Sequence, residues 1–347
     1  MPGVLEGLTL IEMAGIGPGP FAGMMFADHG ARVIRIDRVG AMDTKGRDVL
    51  TRNRELIQLD MKSPEGVAKV RELCKKADGI FEGFRPGVME RMGLGPDVLL
   101  ADNPKLVFGR MTGWGQTGTL SAAAGHDINY ISVSGNLHGY GRPDTKPTPP
   151  TNAIGDFAGG GMMLAFGMVA ALLNVQRGGK GQVVDVAMTD GAAIIHAMQW
   201  GFRAMGMWED TRGVNMLDTA AHFYDTYECA DGKFISIGSI EPQFYALLRE
   251  KLGLTGDTDF DAQMDKSKWP ALKAKLTAIF KTQPRAHWDA LMEGSDVCYG
   301  PIVSMAEALD HPHNVARGTF VKLDGADQPA PAPRFLGTPA PMPVARK

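Results

Sequence analysis

At 347 residues the chain is longer than one hydrophobic core usually serves, so two domains are expected. An apolar fraction of 44% and a charged fraction of 22% are those of an ordinary globular protein, not of a disordered or fibrous chain. A formal net charge of -3 gives no electrostatic footing for nucleic acid or an anionic membrane surface as a partner.

The first half alternates strand and helix patterns. LTLIEM is apolar and β-capable. A glycine-proline turn follows, then the helical stretch FAGMMFADHG, then the strand-like VIRID. Further short apolar runs stand at DGIFEGF, KLVFGRM and QVVDVAM, with helical patterns such as SPEGVAKVRELCKKA between them. Strands alternating with helices predict an α/β fold with a Rossmann-like parallel sheet covered on both faces. The longest apolar run, Gly159 to Leu173, is glycine-rich and about 15 residues long. That is short of the roughly 20 a bilayer span needs, so a buried helix and no membrane span are expected. After Thr189 a helical stretch rich in Met and Trp leads into FYDTYECADGKFISIGS, where Asp231-Gly232 between alternating runs predicts a hairpin. Helical segments QFYALLREKLG, ALKAKLTAIFK and HWDALME follow, reading as a smaller α+β domain. The tail QPAPAPRFLGTPAPMP is too proline-rich for helix or central strand and is expected to lie extended across a surface. The resulting division is a large domain over 1–188 completed by about 310–347, a connecting helical segment over 189–222 and a small domain over 223–309. Cys74, Cys229 and Cys298 are scattered and odd in number. They argue against a disulfide framework and fit a reducing compartment; with no basic-then-apolar leader in MPGVLEG, a cytoplasmic location is expected.

The turn AGIGPGPFAG imitates a dinucleotide fingerprint: Gly15, Gly17 and Gly19 follow a strand, and Asp37 ends the next one. The spacing is not G-x-G-x-x-G, however, and Pro18 and Pro20 remove two N–H groups that would hold a pyrophosphate. A tight βα turn that needs glycine for close packing is the better reading. His311 and His313 in HPHN resemble a metal pair but lack nearby Cys or carboxylate partners, so no metal is expected.

Two steps carry chemistry. His126 and Asp127 stand in GHDINY, and Asp156 follows in NAIGDFAGGGMM. A histidine and a carboxylate on opposite sides of one carbon can take a proton from one face and return one to the other, without metal or redox cofactor. Each residue alone has a structural reading. His126 could be a capped or core histidine, and Asp127 and Asp156 could be helix N-caps. A helix N-terminus would keep Asp156 ionised while apolar surroundings would raise its pKa.

The segments EMAGIGPGPFAGMMFADHGARVIRID, LDMKSPEG, FEGFRPGVMERMGLG, GHDINY, GDFAGGG and DVCYGPIVSMAEALDHPHNVARG resemble, in order and over nearly the whole chain, the family III CoA-transferase superfamily. Within it the chain is most similar to the α-methylacyl-CoA racemases. The resemblance implies a Rossmann-like large domain, a small domain and an interlocked homodimer whose active sites lie between the large domain of one chain and the small domain of the other. It implies His126 and Asp156 as the two bases, Glu241 from the partner chain as the histidine's orienting carboxylate, Asp127 near the thioester, and Tyr224 as support for the aspartate. It implies CoA contacts at Arg38, at Leu59, Asp60, Met61 and Lys62, at Gly83, Phe84 and Arg85, at Arg91, and at Gly125, His126, Asp127 and Tyr130. Arg can grip phosphate bidentately and Lys offers a point charge. No cofactor is implied, since coenzyme A is part of the substrate. The expected reaction inverts the α-carbon of 2-methyl-branched acyl-CoA thioesters through an enolate, whose oxygen would be met by backbone amides near Asp127 or Asp156. The 21 methionines read as adaptable filler or as a surface on which an acyl chain slides. Two rivals stand beside this reading: a CoA-transferase with Asp156 as nucleophile, which would generally lack His126, and a non-catalytic acyl-CoA-binding protein.

Overall fold

The structure, a computed structural model, describes residues 3–41 and 48–345; the outermost residues of the predicted large domain, 1–2 and 346–347, lie outside the described residues. The chain forms two compact units. One is Met1–Leu137, Pro149–Met198 and Ala316–Lys347; the other is His138–Thr148 and Gln199–Val315.

In the large unit the order is β1 (Thr9–Met13), α1 (Pro18–Asp28), β2 (Arg32–Arg38), β3 (Arg54–Leu59), α2 (Pro64–Cys74), β4 (Gly79–Glu82), α3 (Val88–Arg91), α4 (Pro96–Asp102) and β5 (Val107–Thr112). Then come α5 (Asp127–Val133), a π-helical stretch Ala153–Met162 continuing into α6 (Met163–Gln176), β6 (Val183–Ala187) and α7 (Met188–Ile195). The strands pair in parallel in the order β3-β2-β1-β4-β5-β6, the doubly wound arrangement expected. Alternate residues serve opposite faces. Leu10, Val33, Phe81 and Val107 enter one core, while Ile11, Ile34, Ile80 and Phe108 enter the other. Both faces are therefore apolar, which is why these strands read as continuous hydrophobic runs.

The sequence reading missed β3. Its RELIQL is half polar because it is an edge strand that pairs with β2 alone. Arg32 and Glu55 form an exposed cross-strand pair there at 2.8 Å, worth under about 1 kcal/mol. α2 starts where its sequence demands: Ser63 Oγ accepts from Gly66 N–H at 3.0 Å, and Pro64 takes the first helical position.

The apolar helix is longer than its fifteen-residue run suggested. Ala153–Gln176 spans 24 residues and is long and apolar enough, by length and composition, to cross a membrane. Packing marks it as a core helix instead. Leu164, Ala165, Met168 and Leu172 are buried against the sheet. Gly159 meets the backbone of α7, and an added Cβ would stand 2.7 Å from Ala192 N.

In the small unit, β7 (Tyr224–Glu228) and β8 (Phe234–Gly238) form the predicted hairpin, with Gly232 at φ 77. A third strand, β9 (Tyr299–Ile302), joins β8 antiparallel. The helices Pro242–Lys251, Trp269–Phe280 and Arg285–Met292 supply Tyr245, Leu248, Leu272, Phe280 and Trp288 to its core. The boundary falls at 198/199, inside the segment predicted as a connection, and the excursion 138–148 leaves the predicted large domain for the small unit. Its reason is electrostatic: Arg142 Nη1 lies 2.7 and 2.8 Å from the two carboxylate oxygens of buried Asp225, and Lys273 also reaches that carboxylate at 2.7 Å.

The C-terminal stretch returns to the large unit. A hairpin of β10 (Phe320–Leu323) and β11 (Ala326–Pro329) presents Gln328 Oε1 and Pro329 O to Arg52 Nη1 at 2.9 and 2.7 Å. The proline-rich tail then runs without helix or strand to Val344, whose O and N meet Asn53 N and Oδ1 at 2.9 and 2.6 Å.

Candidate active site

Parallel strands deliver their carboxyl ends to one edge of the sheet, and ligands collect where the strand order reverses. Here that point lies between β1 and β4. A cleft of about 880 Å³ opens there within the large unit, walled by the turn after β1 (Gly15 to Gly19), the loop after β4 (Gly83 to Pro86) and the segment after β5 (Gly113, Trp114). His126 and Asp156 both line it.

His126 occupies the N-cap of α5 in extended backbone, φ −133 and ψ 175. Its N–H donates to Asn129 Oδ1 at 3.0 Å, and its imidazole is exposed. Asp127, the first residue of α5, is therefore not the cap. It is buried, and its Oδ2 accepts the N–H of Asp156 at 2.8 Å. This contact needs Gly155: a Cβ there would stand 2.8 Å from Asp127 Oδ2 and 3.3 Å from Asp127 Cα. It also occupies the Asp156 amide, which removes that group from the candidate donors to an enolate.

Asp156 lies inside the π-helical turn, with Asn152 as its N-cap. Asn152 Nδ2 donates to Asp156 Oδ2 at 3.0 Å. Burial pushes the Asp156 carboxyl above the usual carboxylate range; the nearby Asp127 charge acts the same way, while the Asn152 bond and His126 oppose it. The opposite wall is Gly17, at φ 67, whose Cβ, if present, would lie 3.6 Å from Asp156 Oδ2. The glycine-rich sequence after Asp156 is also explained by contact: Gly160 and Gly161 abut Pro18 and Phe21 of α1.

The β4 wall is set by a buried relay. Glu82 Oε2 accepts from Phe84 N–H at 2.6 Å, and Oε1 accepts from Arg110 Nε at 3.0 Å. Arg110 then forks onto Glu90 of α3 at 2.7 and 3.2 Å. One buried glutamate thus ties the Gly83–Arg85 loop to the helix carrying Arg91.

Of the predicted contact residues, Gly83, Phe84, Arg85, Gly125, His126 and Tyr130 line the cleft. Tyr130 donates to Gly125 O and packs edge-on to Trp114, with centroids 4.9 Å apart. Arg38, Leu59, Asp60, Met61, Lys62, Arg91 and Asp127 are not in its lining. Arg38 and Leu59 are register partners at the ends of β2 and β3, so Arg38 and the Leu59–Lys62 turn share the same carboxyl edge of the sheet. Arg38, Lys62, Arg85 and Arg91 are exposed. Met188 lines the cleft, Met168 is core, and Met162, Met198, Met205 and Met207 are exposed. Glu241 and Tyr224 belong to the small unit, where Glu241 caps the helix Pro242–Lys251 and Tyr224 opens β7. The sequence reading missed Asn152 and Trp114. Asn152 carried a usable signal, since a side-chain amide four residues before Asp156 sits on the same helical face. Trp114 carried none.

The family model for CoA-transferase family III matches residues 5–346. The chain is 44% identical to a protein named alpha-methylacyl-CoA racemase from Mus musculus over 346 residues, 99% of this chain and 89% of that one. It is equally 44% identical to the Homo sapiens protein of that name, over 97% of this chain and 87% of that one. Among solved structures, a CAIB/BAIF family protein from Brucella suis superposes with a TM-score of 0.86 at 27% identity, over 100% of this chain and 96% of that one. The chain belongs to CoA-transferase family III.

Proposed function

We propose that the chain is an isomerase, an alpha-methylacyl-CoA racemase that inverts the α-carbon of 2-methyl-branched acyl-CoA thioesters by 1,1-proton transfer. The observation that carries this reading is the presence of His126 and Asp156 in one cleft, with burial pushing the Asp156 carboxyl above the usual carboxylate range. Identity to proteins of that name over nearly the full chain supports it.

The thioester carbonyl acidifies the adjacent C–H. His126 takes this proton from one enantiomer while Asp156, already protonated, delivers one to the opposite face of the enolate; for the other enantiomer the two exchange roles. Coenzyme A enters as part of the substrate, its phosphates held by the exposed cations Arg38, Lys62, Arg85 and Arg91. Glu241 and Tyr224 complete the site from a second copy of the chain in a homodimer. An apolar stripe on the long helix, Met162, Phe166, Val169 and Leu173, left exposed at helical spacing, supports a homodimer.

The test is α-deuterium uptake by a 2-methylacyl-CoA in heavy water. His126→Ala should lose inversion while still binding the ester. Uptake at the wild-type rate in that variant would overturn the assignment. Trapping of an aspartyl acyl adduct with hydroxylamine, with transfer of CoA to a free acid, would replace it with the transferase reading.

A further inference from the structure

The glycine-proline turn after β1 is held by buried charge. Glu12, fully buried near the carboxyl end of β1, grips two arginines: Oε1 accepts from Arg35 Nη1, and Oε2 accepts from Arg54 Nε at 3.0 Å. Each guanidinium turns a further N–H onto a backbone carbonyl. Arg35 Nη2 donates to Gly15 O at 3.2 Å, and Arg54 Nη2 donates to Pro20 O at 2.5 Å. Those carbonyls stand at the start of the turn and in the first turn of α1. α1 leaves space for the cluster, since a Cβ on Gly23 would stand 2.5 Å from Arg54 Nη2 and 2.7 Å from Glu12 Oε2. Three buried charges are a poor way to gain stability, because desolvation offsets most of their attraction. They are an effective way to fix a geometry.

What the turn faces is Asp156. Gly17 lies against its carboxylate, Pro18 lies under Gly160, and the rings of Phe21 and Phe157 approach to 5.1 Å. We infer that Glu12 is a positioning residue for the Asp156 half of the reaction: through Arg35 and Arg54 it fixes the Gly15 end of the turn and the first turn of α1, and so holds the wall that covers one side of that carboxylate. The inference rests on the racemase reading for what Asp156 does, and not for how it is walled in. The titratable groups that act on Asp156 are Asp127, His126 and Tyr130, with Asn152 as its hydrogen-bond donor. None belongs to the turn, so the turn acts by covering the carboxylate rather than by charge.

Arg35→Lys is the decisive variant. It keeps a cation beside Glu12 and Asp37 and removes the N–H that reaches Gly15 O. The readout is the titration of a ¹³C-labelled Asp156 carboxyl by NMR in the free protein. Its midpoint should fall by about half a pH unit or more as water reaches the group. Glu12→Gln should move it in the same direction. An unmoved midpoint in Arg35→Lys overturns the inference. So does failure of that variant to fold, since Arg35 would then serve the fold rather than the turn. No substrate enters the measurement, so its outcome is separate from that of the His126→Ala exchange test.

Discussion

Gly155→Ala probes the joint between the two acidic residues of the cleft. The new methyl would stand 2.8 Å from Asp127 Oδ2, 3.1 Å from Cγ and 3.3 Å from Cα. The last of these is backbone, so rotating the Asp127 side chain cannot relieve the clash; α5 and the π-helical turn must separate. That motion stretches the bond from the Asp156 N–H to Asp127 Oδ2, now 2.8 Å. Overpacking costs about 1–3 kcal/mol and a hydrogen bond to a charged group contributes about 1.5–3 kcal/mol. The two overlap, because breaking the bond is how the clash relaxes, so the expected loss is about 2–3 kcal/mol. For a unit of this size that lowers the melting temperature by roughly 4–12 °C. Differential scanning calorimetry measures it, with Gly201→Ala as control: nothing lies within 4 Å of a Cβ at Gly201, in the exposed helix Ala197–Ala204, and this change should be neutral or stabilising. Equal melting temperatures for the two variants would refute the reasoning.

Asn152→Ala removes the donor that favours ionised Asp156. The carboxyl should then titrate higher, and the acid limb of the pH–rate profile for deuterium uptake should move up, by less than about one pH unit because Asn152 is exposed; a limb that stays put or moves down counts against the bond. In the small unit, burial lowers the His222 imidazole to about 4, with its Nε2 2.7 Å from Tyr245 Oη. The unfolded chain therefore binds this proton first as pH falls. The contribution is complete above about pH 6.5 and gone below about pH 4, a loss of roughly 3 kcal/mol. Urea unfolding at pH 7, 5.5 and 4 measures the slope, which His222→Gln should flatten; an undiminished slope in that variant assigns it elsewhere.

The sheet was legible because its central strands are apolar on both faces, and the turns between strand and helix carry glycine or proline at the points where the chain reverses. Strands that escaped the reading share a cause. β3 is an edge strand and half polar, β9 is short and contains Pro301, and β10 and β11 form a small hairpin outside the main sheet. The cleft was half legible. GHDINY and NAIGDFAGGG announced His126 and Asp156 as residues, but not their surroundings. Both cap readings were displaced: His126, not Asp127, stands at the N-cap position of α5, and Asn152, not Asp156, at that of the following helix. The reason is tertiary, since Asp127 is drawn inward by the Asp156 amide. Trp114 reaches the cleft from the segment after β5, edge-on to Tyr130, which no local pattern announces.

The interrupted large unit bears on how the chain is made. Every residue of the small unit, through Val315, is joined to the chain before Ala316, whereas the large unit waits for its last stretch. Until then Arg52, 2% exposed in the finished structure, has Asp28 to pair with but lacks Gln328 and Pro329, and Asn53 lacks Val344, 291 positions later. The large unit therefore cannot be sealed until its C-terminal segment has been made, whereas the sequence of the small unit is complete before that segment begins.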